Sequence, residues 1–194
     1  DETLAICFDF MQNLPLPHIP VQEVFYMRQL WVNCFCIHNL KTNKAKIYVY
    51  HEGVGNKSPD EVCSFLFDYM KTEVPDTIKK LVLFSDGPFG QNKNHTMIRF
   101  LMALCDNSHF KTITYYFPVR GHSFCPCDRD FGCIKRLIRK ADRIYTPQEY
   151  IELILRASNS GRFTVHEVKT HEILNFKSWW PAYYKKTVSA SDES

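Results

Sequence analysis

The stretch Leu81-Val82-Leu83-Phe84-Ser85-Asp86 is a short apolar run that ends in a carboxylate. No polar residue interrupts it before Ser85, which is typical of a central strand buried on both faces of a sheet. A carboxylate at the end of such a strand needs a compensating charge, and a divalent cation with oxygen ligands is a common one. The run therefore predicts a buried strand with Asp86 at its carboxyl end.

Two more aspartates stand at the ends of apolar segments. Asp9 lies within the strand-like Ile6-Cys7-Phe8-Asp9-Phe10, and Asp128 opens the amphipathic run from Phe131 to Ala141. Simpler interpretations are an exposed edge-strand residue for Asp9, a turn residue for Asp86 and a helix N-cap for Asp128. The shared placement of all three favours a metal-binding carboxylate cluster.

The rest of the chain alternates between strand and helix patterns. Capping boxes at Ser58 and Thr146 each predict the start of a helix. The segments predicted as strands are 4–10, 24–38, 46–50, 81–84, 111–117 and 163–168, and those predicted as helices begin near 59, 97, 131 and 147. The Pro-rich residues 14–20 are expected to be a loop. This order predicts a ribonuclease H-like mixed sheet, with three antiparallel strands, then parallel strands, and helices on both faces.

Length and composition are consistent with one folded unit. The 194 residues are 45% hydrophobic and 23% charged, ordinary values for a globular chain. Residues 1–145 are predicted to form the core, and 146–194 a C-terminal α/β extension, with an aromatic tail, packed on the same domain. No apolar stretch reaches the length of a membrane span, so no membrane partner is expected. Because the first residue is not Met, we expect a piece of a longer protein.

Eight cysteines are present without a CxxC pair. Several lie in apolar runs, so most are expected to be reduced core thiols, namely Cys7, Cys34, Cys36, Cys63 and Cys105. An irregular zinc-like set, whose spacing matches no common zinc finger, consists of His122, Cys125, Cys127 and Cys133.

The net charge of +3 is modest, but basic residues concentrate after Asp128. They are interpreted either as a solvated helix face or as phosphate contacts. Two further candidates for nucleic-acid contact, Lys93 and Arg120, precede this basic segment. The full set of candidates is Lys93, Arg120, Lys135, Arg136, Arg139, Lys140 and Arg143.

The predicted topology brings Asp9, Asp86 and Asp128 together, because the first and fourth strands lie side by side. Three clustered carboxylates can hold two Mg²⁺ or Mn²⁺ ions roughly 4 Å apart, which clamp the attacking and leaving oxygens of a phosphodiester. Asp130 is an alternative third carboxylate. His122 is either a proton carrier at the site or a loop histidine with a structural partner.

Several motifs together resemble a family of DDE-type transposase-derived domains. They are residues 8–17 (FDFMQNLPLP), Ser85-Asp86 with residues 90–94 (GQNKN), Tyr116-Phe117-Pro118, and residues 121–123 (GHS) leading to 127–132 (CDRDFG). The resemblance implies a ribonuclease H-like core with Asp9, Asp86 and Asp128 as the acidic triad. In one departure, the chain has Gly-Pro-Phe-Gly at 87–90 where the family usually has Asn-Cys-Gly-Gly.

This resemblance implies a nuclease or strand-transferase that acts on DNA in the nucleus with two metal ions. Such enzymes generally carry a separate DNA-recognition domain, which is expected outside this chain, and a homodimer is an open possibility. The departure at 87–90 motivates a second hypothesis, a domesticated, catalytically inactive module that binds nucleic acid or protein. A metal-dependent ribonuclease is a third, since it uses the same metal geometry.

Overall fold

The computed structural model describes residues 2–20, 28–86, 92–117, 125–158 and 160–183. Seven strands form one mixed sheet. They are β1 (Thr3–Phe10), β2 (Leu14–Leu16), β3 (Leu30–Asn39), β4 (Lys44–His51), β5 (Lys80–Phe84), β6 (Thr112–Tyr116) and β7 (Phe163–Glu167). The helices are α1 (Pro59–Glu73), α2 (His95–Asn107), α3 (Pro126–Ile138), α4 (Pro147–Arg156) and the short α5 (Phe176–Trp179).

The strand order across the sheet is β6-β5-β1-β3-β4-β7, and β2 pairs with β3. β3 is antiparallel to its two neighbours β1 and β4, whereas β5 is parallel to β1, β6 to β5, and β7 to β4. β1 is therefore a central strand. The mixed sheet confirms the predicted change from antiparallel to parallel pairing.

Each face of the sheet carries its own apolar core. Alternate residues of β1 separate the two, since Phe8 belongs to the core beneath α1 and α2, whereas Cys7 and Met11 belong to the core beneath α3 and α4. The periodicity of two in a strand therefore directs Asp9 toward the α3 face. Both faces are covered by helices, as the sequence predicts.

Two capping boxes fix the starts of α1 and α4, as predicted from their sequences. The Glu61 carboxylate accepts the Ser58 N–H at 2.9 Å, and Glu149 accepts the Thr146 N–H at 2.8 Å. Both boxes satisfy N–H groups that an unprotected helix end would leave unpaired.

The Pro-rich segment departs from its predicted loop. Leu14 and Leu16 alternate into the core beneath α4 and pair with β3, while Pro15 lies between them on the other side of the strand. A proline is tolerated in a strand at the sheet margin, where its missing N–H leaves no gap in the ladder. β3 begins at Leu30; residues 24–27 of the predicted strand lie outside the described residues.

The C-terminal part of the chain adds β7 to the far edge of the same sheet. The Arg162 carbonyl accepts the Ala45 N–H at 2.9 Å, which continues this pairing. Within the described residues, no helix combines the length and apolarity that crossing a bilayer requires.

Candidate functional site

Parallel pairing aligns two of the predicted aspartates. The register of β1 and β5 ends with Cys7 beside Phe84. Two further residues lead to Asp9 within β1 and to Asp86, two residues past the end of β5. If the extended pairing continues past Phe84, the two side chains share a level and a face. This edge of the sheet, at the carboxyl ends of β1 and β5, is where the candidate site lies.

The third predicted aspartate comes from α3. This helix begins at Pro126 with Cys125 as the N-cap, so Asp128 is the third helical residue and not the N-cap. Its exposed side chain lies in the first turn, where the partial positive charge of the helix end favours a carboxylate. The edge-strand alternative for Asp9 is also excluded, because β1 is central and Asp9 is half-buried.

Burial and neighbouring charge set the protonation of Asp9. Loss of solvent is the larger cause and the Asp86 charge the second, and together they raise the pKa of the Asp9 carboxyl from 3.8 to about 7. Asp128 also acts to raise this pKa, whereas the Phe10 N–H, 2.7 Å from Asp9 Oδ1, and the Lys57 ammonium lower it. Asp9 therefore senses both of the other predicted carboxylates, and a bound cation would relieve their repulsion.

The carboxylates are not packed as the ligands of one ion. Across the described part of the chain, Cys7, Cys125 and Cys127 form the one trio of His, Cys, Asp or Glu whose ligand atoms all lie within 4.8 Å of one another. The three aspartates are therefore spaced more widely.

Asp86 is oriented by Asn92, a residue that the sequence interpretation did not place in the site. The buried Asn92 donates through Nδ2 to Asp86 Oδ1 at 3.0 Å and to the Asp86 carbonyl at 3.1 Å. Ser85 Oγ donates to the same carbonyl at 2.9 Å and lies 2.6 Å from the Tyr115 hydroxyl. The Gly-Gln-Asn motif contained this signal, since an amide near a strand-end carboxylate is a natural orienting group.

Lys57 is a second residue that the sequence did not reveal. It lies in the loop before α1, donates from Nζ to the Met11 carbonyl, and stands 5.2 Å from the centroid of the Phe10 ring. Partial burial lowers the pKa of its ammonium, while the Asp9 charge opposes that change. Lys57 thus brings a positive charge to the edge of the site.

Asp130, the alternative third carboxylate, lies elsewhere. It is fully buried, with Oδ2 2.6 Å from His38 Nδ1 and Oδ1 2.9 Å from Arg162 Nη2. The second contact lacks the alignment of a hydrogen bond. These contacts indicate a structural role for Asp130, which ties α3 to β3 and to the residue before β7.

Some of the predicted basic residues lie on α3, and the others lie before or after it. Lys135 and Arg136 lie in its last turn, Arg139 is its C-cap, and Lys140 and Arg143 follow in the connection to α4. Lys93 is exposed near the start of α2, with Nζ 5.5 Å from the centroid of the Phe117 ring. His122, Arg120 and the divergent residues 87–90 lie outside the described residues.

The cysteine prediction is wrong for Cys7, which forms a disulfide with Cys125. Burial alone did not reveal this pairing because 118 residues separate the partners. Cys34, Cys36 and Cys63 are buried free thiols, as expected, and Cys105 is free but partly exposed. Burial raises the pKa of the Cys34 thiol to about 12, so it remains protonated.

A cleft of about 440 Å³ lies away from the carboxylates, between the end of β4, the start of α4 and the segment after β7. Its lining includes Tyr50, Val54, Glu167 and His171 but none of the three aspartates.

Fold and site together define a mixed α/β protein with carboxylates gathered at the carboxyl ends of its central strands. The chain belongs to the family described as "Domain of unknown function (DUF7869)", which matches residues 30–193. This span includes Asp86 and Asp128, whereas Asp9 precedes it.

No curated protein matches the chain. A similar solved structure is the "CryoEM structure of simian T-cell lymphotropic virus intasome in complex with PP2A regulatory subunit B56 gamma", at 7% sequence identity and a TM-score of 0.43. The match covers 98% of this chain and 59% of that one. At this identity and score, the likeness supports no conclusion about fold or activity.

Proposed function

We propose that the chain is a ribonuclease H-like catalytic core derived from a DDE-type transposase, which cleaves or transfers DNA phosphodiester bonds with two Mg²⁺ or Mn²⁺ ions. One observation carries the proposal: the charges of Asp86 and Asp128 both act on the Asp9 carboxyl, and the β1–β5 register, which ends at Cys7 beside Phe84, leads two residues later to Asp9 and Asp86. The central position of β1 and β5, with α3 reaching their ends, supports the ribonuclease H-like assignment.

The donor set fits hard divalent ions. All three side chains offer carboxylate oxygens, which Mg²⁺ and Mn²⁺ prefer. The pKa of Asp9 is raised first by burial and second by the charge of Asp86, and a cation bound between these carboxylates would offset both effects. When bound, the ions would activate the attacking oxygen and stabilise the leaving one.

The protein's own residues would position the site. Asn92 fixes the orientation of Asp86 through its 3.0 Å hydrogen bond, so this carboxylate need not be ordered when a ligand arrives. Lys57 supplies a cation near Asp9, where the phosphate of a bound strand would carry negative charge. Positioning and charge are the main contributions of a protein to this chemistry.

One face of α3, called the track below, is a candidate contact surface for the nucleic-acid backbone. Asp128, Gly132, Lys135 and Arg139 recur at spacings of three and four residues, so they share a face of the helix. Gly132 leaves open space, since a Cβ built there meets no atom of the described residues within 4 Å. Asp128 and Lys135 are about 10 Å apart along the axis, the rise of about three nucleotides of one strand.

Lys135 links this track to the strand bearing Asp9. Its Nζ lies 3.4 Å from Gln12 Oε1, in the loop just after β1. A phosphate held by Lys135 would therefore lie beside the loop that leaves the site. The basic residues would hold the backbone without reading its sequence.

The test is a nicking assay on supercoiled and branched DNA with Mn²⁺ or Mg²⁺. We expect wild-type protein to nick DNA and Asp86→Asn to abolish nicking while DNA binding persists. Asp106→Asn, a substitution at an exposed residue of α2, is the matched control and should leave nicking unchanged.

The same assay separates the alternatives. Metal-dependent cleavage of RNA or hybrids without cleavage of DNA would favour a ribonuclease. DNA binding without cleavage of any substrate would leave the inactive binding module. A nuclear location is part of the proposal and is tested by fluorescence microscopy of the tagged full-length protein.

A further inference from the structure

A cluster of three cysteine sulfurs lies just beneath the carboxylates. Cys7 comes from β1, and Cys125 and Cys127 come from the start of α3; their sulfurs all lie within 4.8 Å of one another. Cys7 and Cys125 form a disulfide, and Cys127 Sγ lies 3.9 Å from Cys7 Sγ. The cluster therefore contains one more sulfur than a disulfide uses.

The third sulfur has only weak hydrogen-bond partners. Cys127 is fully buried, and its thiol lies 3.4 Å from the Cys7 carbonyl and 3.8 Å from the Cys36 carbonyl. Its position beside two other sulfurs points to sulfur chemistry.

The spacing fits thiolates around one soft cation. Tetrahedral Zn²⁺ with Zn–S bonds of about 2.3 Å holds its sulfurs about 3.8 Å apart, and the Cys7–Cys127 separation is 3.9 Å. Cys125 is the N-cap of the 13-residue α3 and Cys127 its second residue.

A fourth sulfur is close. Cys36 lies on the same face of the sheet as Cys7, and its carbonyl oxygen is 3.8 Å from Cys127 Sγ. Zinc sites with three protein ligands keep one position for another group, and those with four are closed. Cys36 is the nearest protein candidate for that remaining position.

We propose that Cys7, Cys125 and Cys127, when reduced, form a thiolate site for a soft divalent cation such as Zn²⁺, and that the Cys7–Cys125 disulfide is the oxidised form of the same site. A dithiol reductant would reduce the disulfide by thiol–disulfide exchange. The reductant becomes a disulfide, and Cys7 and Cys125 become thiols. Binding of the cation would then displace the three thiol protons. The inference does not depend on the proposed nuclease activity.

The cluster is distinct from the carboxylate site in chemistry but joined to it along the chain. Sulfur ligands select soft cations, whereas the aspartates select hard ones. Cys7 precedes Asp9 by two residues, and Cys125 precedes Asp128 by three. Either a disulfide or a bound cation would therefore tie together the two elements that carry these aspartates.

Titration of the full chain with Zn²⁺ and Co²⁺ tests the proposal. The protein is reduced with a phosphine, and Zn²⁺ affinity is measured by competition with a chromophoric chelator. Co²⁺ is titrated in the same way, because Co²⁺ bound to thiolates absorbs light through thiolate-to-metal charge transfer. The intensity of this absorption band reports the number of sulfur ligands. We expect one ion per reduced chain, a band matching three or four thiolates, and no such site in the oxidised chain.

Three variants sharpen the test. Cys127→Ser should weaken Zn²⁺ at least tenfold and reduce the charge-transfer band, although it leaves the disulfide partners intact. Cys125→Ser should do the same and keep α3 folded, because serine is a favoured N-cap. Cys133→Ser, on the same helix but outside the cluster, is the matched control and should bind as wild type does.

Either of two results would overturn the proposal. The first is a reduced wild-type chain that binds no stoichiometric Zn²⁺. The second is a folded Cys127→Ser or Cys125→Ser variant with wild-type affinity and an unchanged band. Asp86→Asn separates this site from the carboxylates, since it should leave the sulfur band unchanged.

Discussion

Replacing Asp9 with asparagine should stabilise the metal-free protein. In the folded chain, burial and the charge of Asp86 raise the pKa of the Asp9 carboxyl to about 7, compared with 3.8 in an exposed state. The folded form therefore binds more protons than the unfolded form between these values, and stability falls as the pH rises from 3.8 to 7. Asparagine keeps the shape but removes this titration.

The magnitude follows from the same two values. At about 1.4 kcal/mol for each tenfold change, a rise from 3.8 to about 7 corresponds to at most about 4 kcal/mol. Asp9 is only half-buried, so solvent screening is expected to reduce the gain to about 1–2 kcal/mol at pH 8. The gain should be smaller at pH 5, where the folded wild-type carboxyl is already protonated.

Urea unfolding at pH 8 and pH 5, with a chelator present, measures both gains. Without the chelator, added Mn²⁺ should make the wild-type chain more stable than Asp9→Asn at pH 8, because the ion stabilises only the wild-type chain, which binds it. Asp68→Asn is a control of opposite sign: burial acts to raise the pKa of Asp68, but hydrogen bonds from Tyr48 and Lys46 outweigh burial and lower it. Asp68→Asn should therefore destabilise the protein, and this loss should disappear as the pH falls through the Asp68 pKa.

A loss of stability in Asp9→Asn at pH 8 would refute the electrostatic reasoning. Equal gains at pH 8 and pH 5 would refute it as well, since they would show that charge at Asp9 is not responsible.

Three further predictions concern the site and its surroundings. Gly132→Ala should raise stability by about 0.5–1 kcal/mol in chemical denaturation, because the added methyl group meets no neighbour and glycine weakens a helix; a loss would show that the open space is occupied. Asn92→Ala should weaken Mn²⁺ binding about 10–100-fold in calorimetry, because Asp86 loses its orienting amide, and unchanged affinity would contradict that role. Lys135→Ala should lower DNA affinity across sequences and reduce the slope of affinity against salt by about 1, whereas an unchanged slope would remove Lys135 from the interface.

Local patterns in the sequence predicted much of the fold. The capping boxes at Ser58 and Thr146 act within four residues, so their outcome does not depend on distant contacts. The apolar run ending at Asp86 forms an interior strand between β6 and β1, as expected, but Val82 and Phe84 are only partly buried, so the prediction of burial on both faces holds for Leu81 and Leu83 alone. β2 was missed because proline argued for a loop, while the burial of Leu14 and Leu16 favours a short strand.

Features that join distant parts of the chain were not predicted. The partners of Asp130 come from β3 and from the residue before β7, and sequence spacing contains no information about that meeting. The Cys7–Cys125 disulfide has the same character. Lys57 approaches Asp9 only because α1 packs beside β1, so a lysine that resembles any surface residue in the sequence acquires a position at the site.

Calorimetric titration of Mn²⁺ at pH 8 tests the carboxylate centre most directly, with and without a DNA duplex that supplies phosphate ligands. We predict saturable binding to the wild-type chain, loss of that binding in Asp86→Asn and in Asp9→Asn, and no change in Asp106→Asn. Absence of saturable binding in both formats, or equal binding by wild type and Asp86→Asn, would contradict the assignment of these aspartates as a metal centre.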